Sequence, residues 1–284
     1  MARTEEKRSE CVRPVDGECA GRWFKEAIGD PSLPLVKHQV PQCFEQYLRI
    51  LHPAEDKYGQ VVRWADLARR GGRVFYPEVQ WHCLVGASEP MAAGDMWEGS
   101  LPSNGEMREA DLDLLCRALN KYTDTPESCL LGLSTIHGWV EPLARGKALL
   151  TLPFRRFVVL LGPLKYAARL GTDQSDVEKA PGTGLRVEPG GSESRAGYEP
   201  VQHCGEAANE PKVFRYLVGN GGQAPNLIWP LDRAWCVVSE MDYDSTLIGG
   251  SEALIGELLE TEGLECLSVT PSDSISSDAD WVNC

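Results

Sequence analysis

Apolar positions along this chain follow a helical period first and a strand period later. Phe44, Tyr47, Leu48 and Leu51 recur at i, i+3, i+4 and i+7, which predicts a helix over 41–51 with one buried face. Pro41 suits its first turn, and His52-Pro53 ends it. Trp64, Leu67 and Ala68 mark a second helix over 63–70, stopped by Gly71-Gly72. Residues 79–85 fit a strand or a helix, and 86–109 read as loop. A third helix over 110–122 carries the stripe Leu112, Leu115, Leu119 and Tyr122.

Strands dominate afterwards: 129–136, then a hairpin of 147–152 with 157–161 about Pro153-Phe154-Arg155-Arg156. Residues 164–170 fit a short helix. From 171 onward Gly, Ser, Glu and Pro displace apolar residues, a composition that cannot offset the entropy of ordering. The span 171–225 therefore reads as a largely disordered insertion, with a strand at 213–218. Order resumes at Asn226, with a strand over 234–239, a helix over 251–260 and a strand over 264–269. The pattern predicts an α+β fold: N-terminal helices, then a mainly antiparallel sheet and a C-terminal helix. A flexible arm at 1–37 precedes a single domain at 38–270, and an acidic tail at 271–284 follows it.

Charge changes this picture at one place. Of a formal net charge of −14, the segment from Ala234 to Cys284 carries −11, as eleven acids and no Lys or Arg. An acidic chain lacks the cations that neutralise phosphates, which argues against nucleic acid and against anionic membranes as partners. It leaves basic proteins and divalent cations. The charged N-terminus has no apolar run behind it, so no export signal is expected and the protein reads as cytoplasmic. Its ten Cys are then expected as reduced thiols, mostly buried. Eight Trp indicate a sizeable core.

Short motifs lead into and run along the start of the acidic segment: Asn226-Leu227-Ile228-Trp229-Pro230, Asp232-Arg233-Ala234-Trp235, Glu240-Met241-Asp242 and Gly249-Gly250-Ser251. Together with 156–164, they resemble a group of uncharacterised bacterial proteins that share such a C-terminal pattern. Ile228 stands where that group has Trp, and the 171–225 insertion is a further departure. The resemblance covers about a quarter of the chain; it implies a shared fold and carries no activity with it.

Read as one extended strand, 234–244 places Glu240, Asp242 and Asp244 in a row on one face. Same-face neighbours ~7 Å apart repel by ~2.4 kcal/mol at an effective dielectric of 20. An exposed row is inexpensive, whereas a buried one needs a cation, a shared proton or a basic neighbour. These three are the weak candidates for acid/base or divalent-metal chemistry of a hydrolase. Trp229, Asp232, Arg233 and Trp235 complete a candidate binding set with them. Ser251 and Glu252 read as helix capping.

Other motifs are incomplete. Gly132-Leu133-Ser134-Thr135-Ile136, with His137 nearby, lacks the final glycine of a nucleophile elbow. Gly219-Asn220-Gly221-Gly222 opens no helix and reads as a turn rather than a dinucleotide loop. His82-Cys83 and His203-Cys204 repeat a dipeptide, but strand neighbours point to opposite faces, which disfavours joint zinc binding. No cofactor or metal is assigned. The leading expectation is a non-catalytic binding or regulatory module that meets a basic protein through its acidic C-terminal side. A hydrolase using Glu240, Asp242 or Asp244, and a toxin-neutralising protein, are the alternatives.

Overall fold

The computed structural model describes residues 12–29, 33–136, 138, 140–170 and 223–284. The protein is α+β, built on a large, wholly antiparallel sheet. The first half contributes β1 (Arg13–Pro14), α1 (Gly17–Ala27), β2 (Gln46–Leu51), β3 (Ala54–Asp56) and β4 (Val61–Val62). Next come α2 (Trp64–Gly71), α3 (Trp81–Val85), α4 (Ala93–Met96), β5 (Gly99–Ser100) and α5 (Glu109–Leu119). The second half adds β6 (Cys129–Ser134), β7 (Leu150–Thr151), β8 (Arg156–Gly162) and α6 (Ala167–Leu170). It closes with β9 (Leu227–Pro230), β10 (Cys236–Val238), β11 (Ser245–Gly250), α7 (Glu252–Glu260) and β12 (Cys266–Val269).

The main sheet runs β1-β8-β6-β9-β10-β11-β2-β12, with β7 also paired to β8, while β4-β3-β5 form a smaller sheet. Period-two alternation splits the main strands between two cores. Leu131, Leu133, Val158, Leu160, Val237 and Ile248 pack with the apolar stripes of α5 and α7. Leu130, Phe157, Val159, Trp229 and Val238 pack with Phe24 and Ile28 at the end of α1. A third cluster centres on Trp64 and Trp81, joining α2 and α3 to the end of β2.

Local signals explain several elements. Gly72, at φ +64, caps α2 in the left-handed region. Ser251 caps α7 by accepting from the Leu254 amide at 3.3 Å. The anticipated hairpin appears as β7 and β8, and the expected last strand as β12.

Four expectations are corrected. The helix over 41–51 is absent: Gln46–Leu51 is a strand hydrogen-bonded to β11 on one side and β12 on the other. Both of its faces are covered, so Tyr47, Leu48, Arg49, Ile50 and Leu51 are all buried. Part of the 1–37 arm is ordered. Asp16 accepts from the Cys19 amide at 2.9 Å and starts α1, whose Phe24 is fully buried against Trp229. The 271–284 tail is folded onto the domain, with Ile275, Asp280 and Asn283 buried. Finally, Cys83 and Cys284 form a disulfide spanning 201 residues, whereas Cys116 and Cys129 are free. Burial pushes the thiols of Cys116 and Cys129 up to about 12, which leaves them unreactive.

The expected strand at 213–218, the turn at 219–222, His137 and His203-Cys204 lie outside the described residues. No helix among those described is long and apolar enough to cross a membrane.

Candidate functional site

The strand expected over 234–244 ends at Val238, and the chain turns before β11. The Tyr243 amide donates to the Glu240 carbonyl at 3.0 Å, closing that turn. Gly105 holds it from outside, its amide donating to the Tyr243 carbonyl at 2.9 Å. Gly105 lies at φ +73, and a Cβ there would stand 2.5 Å from Met241 Cα. A side chain is therefore excluded by backbone conformation and by space. Gly105→Ala is expected to cost about 1–3 kcal/mol and to displace the turn, read as a lowered urea midpoint.

The three carboxylates accordingly do not form a row. Glu240 is buried, accepting from Arg155 Nε at 2.8 Å, with Arg155 Nη2 on the same oxygen. Asp242 is 77% exposed and bonds the same guanidinium at 3.1 Å. Asp244, 22% exposed, faces Arg49 at 3.5 Å. Thus Glu240 and Asp242 share one cation and Asp244 has another.

Burial raises the Glu240 carboxyl above its ordinary 4.5, with Arg155 opposing and Asp242 reinforcing the rise. A carboxyl that holds its proton more tightly when folded contributes most to stability below its unfolded pKa. That contribution is lost as pH rises through the folded pKa. Glu240→Gln is expected to flatten the loss of stability just above pH 4.5, measured by denaturation across a pH series.

Behind the turn lies a buried polar framework that the sequence did not reveal. Arg49 is 1% exposed; its Nε donates to Ser245 Oγ at 3.0 Å and its Nη1 to the carbonyls of Pro77 and Val79. It thereby ties β2 and β11 to the segment leading into α3. His52 Nδ1 lies 2.6 Å from the Ser103 carbonyl, which can only accept, so Nδ1 carries the proton. Its Nε2 then accepts from the Thr246 hydroxyl at 2.9 Å, and Thr246 in turn accepts from Ser239. Burial lowers the His52 pKa, consistent with this neutral ring. Ser239, Thr246 and His52 are all buried, so this chain positions the turn and offers no hydroxyl to a substrate. Asn226 completes the framework, accepting from the Ser134 amide and donating to the Ser239 and Gly105 carbonyls.

In front of the turn is a cleft of about 630 Å³. Asp242, Tyr243 and Asp244 line it with Trp81, His82 and Asn104, and the C-terminal segment supplies Ile275, Ser276 and Ser277. Burial lowers the His82 pKa, with Asp244 and Asp280 opposing, so the imidazole is neutral at pH 7. The cleft therefore joins carboxylates, aromatic surface and a neutral histidine.

The other residues of the candidate set lie elsewhere. Trp229 and Trp235 are buried, the latter donating Nε1–H to the Leu119 carbonyl at 3.1 Å. Asp232 and Arg233 turn the chain between β9 and β10, at the opposite end of β10 from the cleft. Asp232 accepts from Thr123 Oγ1 and the Asp124 amide, both at 2.7 Å. Burial opposes these bonds, which nonetheless hold its carboxyl below the ordinary value. Arg233, at φ +57, stacks 5.1 Å from the Trp23 ring.

Comparison of the chain with family models, curated proteins and solved structures gave no match.

Proposed function

We propose that the protein is a non-catalytic binding module that receives a cationic side chain of a basic protein partner in the cleft beside Asp242 and Asp244. The observation that carries this reading is the placement of an exposed carboxylate, Asp242, in a cleft beside the half-buried ring of Tyr243. Carboxylates and aromatic faces both attract a guanidinium or ammonium group. The segment from Ala234 onward, which builds two walls of the cleft, contains no Lys or Arg to repel such a group. The alternative, a hydrolase using Glu240, Asp242 or Asp244, would need at least one of these carboxylates free to act on a substrate. They engage two different arginines, and Glu240 is buried behind the turn.

An arginine-rich peptide titrated by calorimetry at low salt tests the proposal. Binding is expected to weaken as salt rises and to fall about tenfold in Asp242→Asn, equivalent to ~1.4 kcal/mol. Equal affinities for wild type and Asp242→Asn would refute it.

A further inference from the structure

We propose that His82, Cys83 and Cys284 form a zinc site in the reduced protein, and that the Cys83–Cys284 disulfide is the oxidised, metal-free form of that site. Their ligating atoms all lie within 4.8 Å of one another. His82 Nε2 is 3.4 Å from Cys83 Sγ and 3.7 Å from Cys284 Sγ. Around a tetrahedral Zn²⁺, bonds of ~2.3 Å to sulfur and ~2.0–2.1 Å to nitrogen put neighbouring ligands roughly 3.5 Å apart. Both sulfur–nitrogen separations already fit; only the two sulfurs, bonded to each other here, must part.

The objection raised by strand geometry does not apply, because His82 and Cys83 sit on α3. Helical neighbours are ~100° apart around the axis, so two long side chains can converge. The third ligand is held in place by a dedicated framework. Asp280, 1% exposed, accepts from Tyr76 Oη at 2.8 Å, the Gln80 amide at 3.0 Å, and the Asn283 amide and Nδ2 at 3.0 Å each. Asn283 also pairs with both backbone groups of Val74, and the Cys284 amide donates to the Asp280 carbonyl at 3.2 Å. These bonds hold the last turn of chain beside α3 in addition to the disulfide.

The chemistry balances with a thiol reductant. The disulfide accepts two electrons and two protons from a dithiol, which leaves as its own disulfide. Zn²⁺ then displaces the two thiol protons, forming two Zn–S bonds and one Zn–N bond to His82. Two thiolates neutralise the ion, so the charge of the adjoining cleft is unchanged. Three protein ligands leave the fourth position to water, the pattern of an open rather than a closed site.

The test uses the whole chain, reduced anaerobically with a phosphine and then given Zn²⁺. One equivalent is expected to bind and to slow iodoacetamide alkylation of Cys83 and Cys284 more than about tenfold. Cys19 and Cys43, both exposed, should stay reactive. Co²⁺ in place of Zn²⁺ should give thiolate-to-metal charge-transfer absorption. His82→Gln preserves both cysteines and is expected to weaken metal affinity by at least ~10-fold. Alkylation of Cys83 and Cys284 at the same rate with and without Zn²⁺ overturns the proposal, whether or not the reduced chain stays folded. So does undiminished affinity in His82→Gln. Neither result depends on whether a cationic ligand enters the cleft.

Discussion

Arg49→Ala is expected to lower the unfolding free energy by about 3–5 kcal/mol, the largest single-residue effect anticipated here. The guanidinium is almost fully buried and serves Ser245, Pro77, Val79 and Asp244 at once. Its loss leaves two backbone carbonyls without this donor and Asp244 without its Arg49 partner, and opens a void beside the Trp64 ring. Arg49→Met restores most of the volume but none of the donors, so the difference between the two variants separates packing from hydrogen bonding. Urea denaturation followed by tryptophan fluorescence reads both. Arg233→Ala is the control: that side chain is exposed over Trp23, and its removal should cost less than about 1 kcal/mol. If Arg49→Ala proved as mild as Arg233→Ala, the buried framework described here would not be what holds the turn.

Asp280→Ala is the second large effect, at about 2–4 kcal/mol. Removing this carboxylate leaves the Tyr76 hydroxyl, the Gln80 amide and two Asn283 donors without their acceptor. The same interactions hold the segment whose Ser276 and Ser277 wall the cleft. The variant should therefore lose peptide affinity as well as stability, although Asp280 is buried and does not itself line the cleft. Differential scanning calorimetry and the peptide titration, run on the same preparation, report the two losses. Tyr76→Phe deletes one of the four donors and should give a fraction of the same effect. Burial and the bond to Asp280 push the Tyr76 hydroxyl above its ordinary 10, in keeping with a phenol that stays protonated as donor.

Much of the architecture was legible in the residue pattern. The stripes of α2 and α5, the glycine stop after α2, the Ser251 cap of α7 and the turn around 153–156 are local signals, and each gave an element where expected. The error at 41–51 has a specific cause. A strand covered on both faces loses the polar alternation that identifies strands. Here the single polar residue within Tyr47–Leu51 is Arg49, buried by partners far away in sequence. With that residue taken as solvent-facing, the run mimics an amphipathic helix. The acidic tail misled for a similar reason. Asp280 looks solvated by composition, yet its partners Tyr76 and Gln80 lie about 200 positions earlier.

In the 240–244 stretch, the sequence pattern implied a geometry that the turn overrides. Glu240, Asp242 and Asp244 lie near one another, but a turn separates them: Glu240 is buried and shares Arg155 with the exposed Asp242, and Asp244 faces the buried Arg49. His82 reads from sequence as an isolated histidine; only the packing of α3 beside the 240–243 turn brings it to Asp244. Nor did the sequence show that Trp229 and Trp235 belong to the core, since strand alternation alone does not say which face is covered.

The central claim, that the cleft beside Asp242 and Asp244 is where a basic ligand enters, is tested most directly by amide chemical-shift mapping. An arginine-rich peptide titrated into isotope-labelled protein should move the resonances of His82, Asn104, Asp242, Tyr243 and Asp244 together, along a single binding curve. Shifts confined to other surfaces, or spread evenly over the acidic residues from 252 to 262, would contradict it.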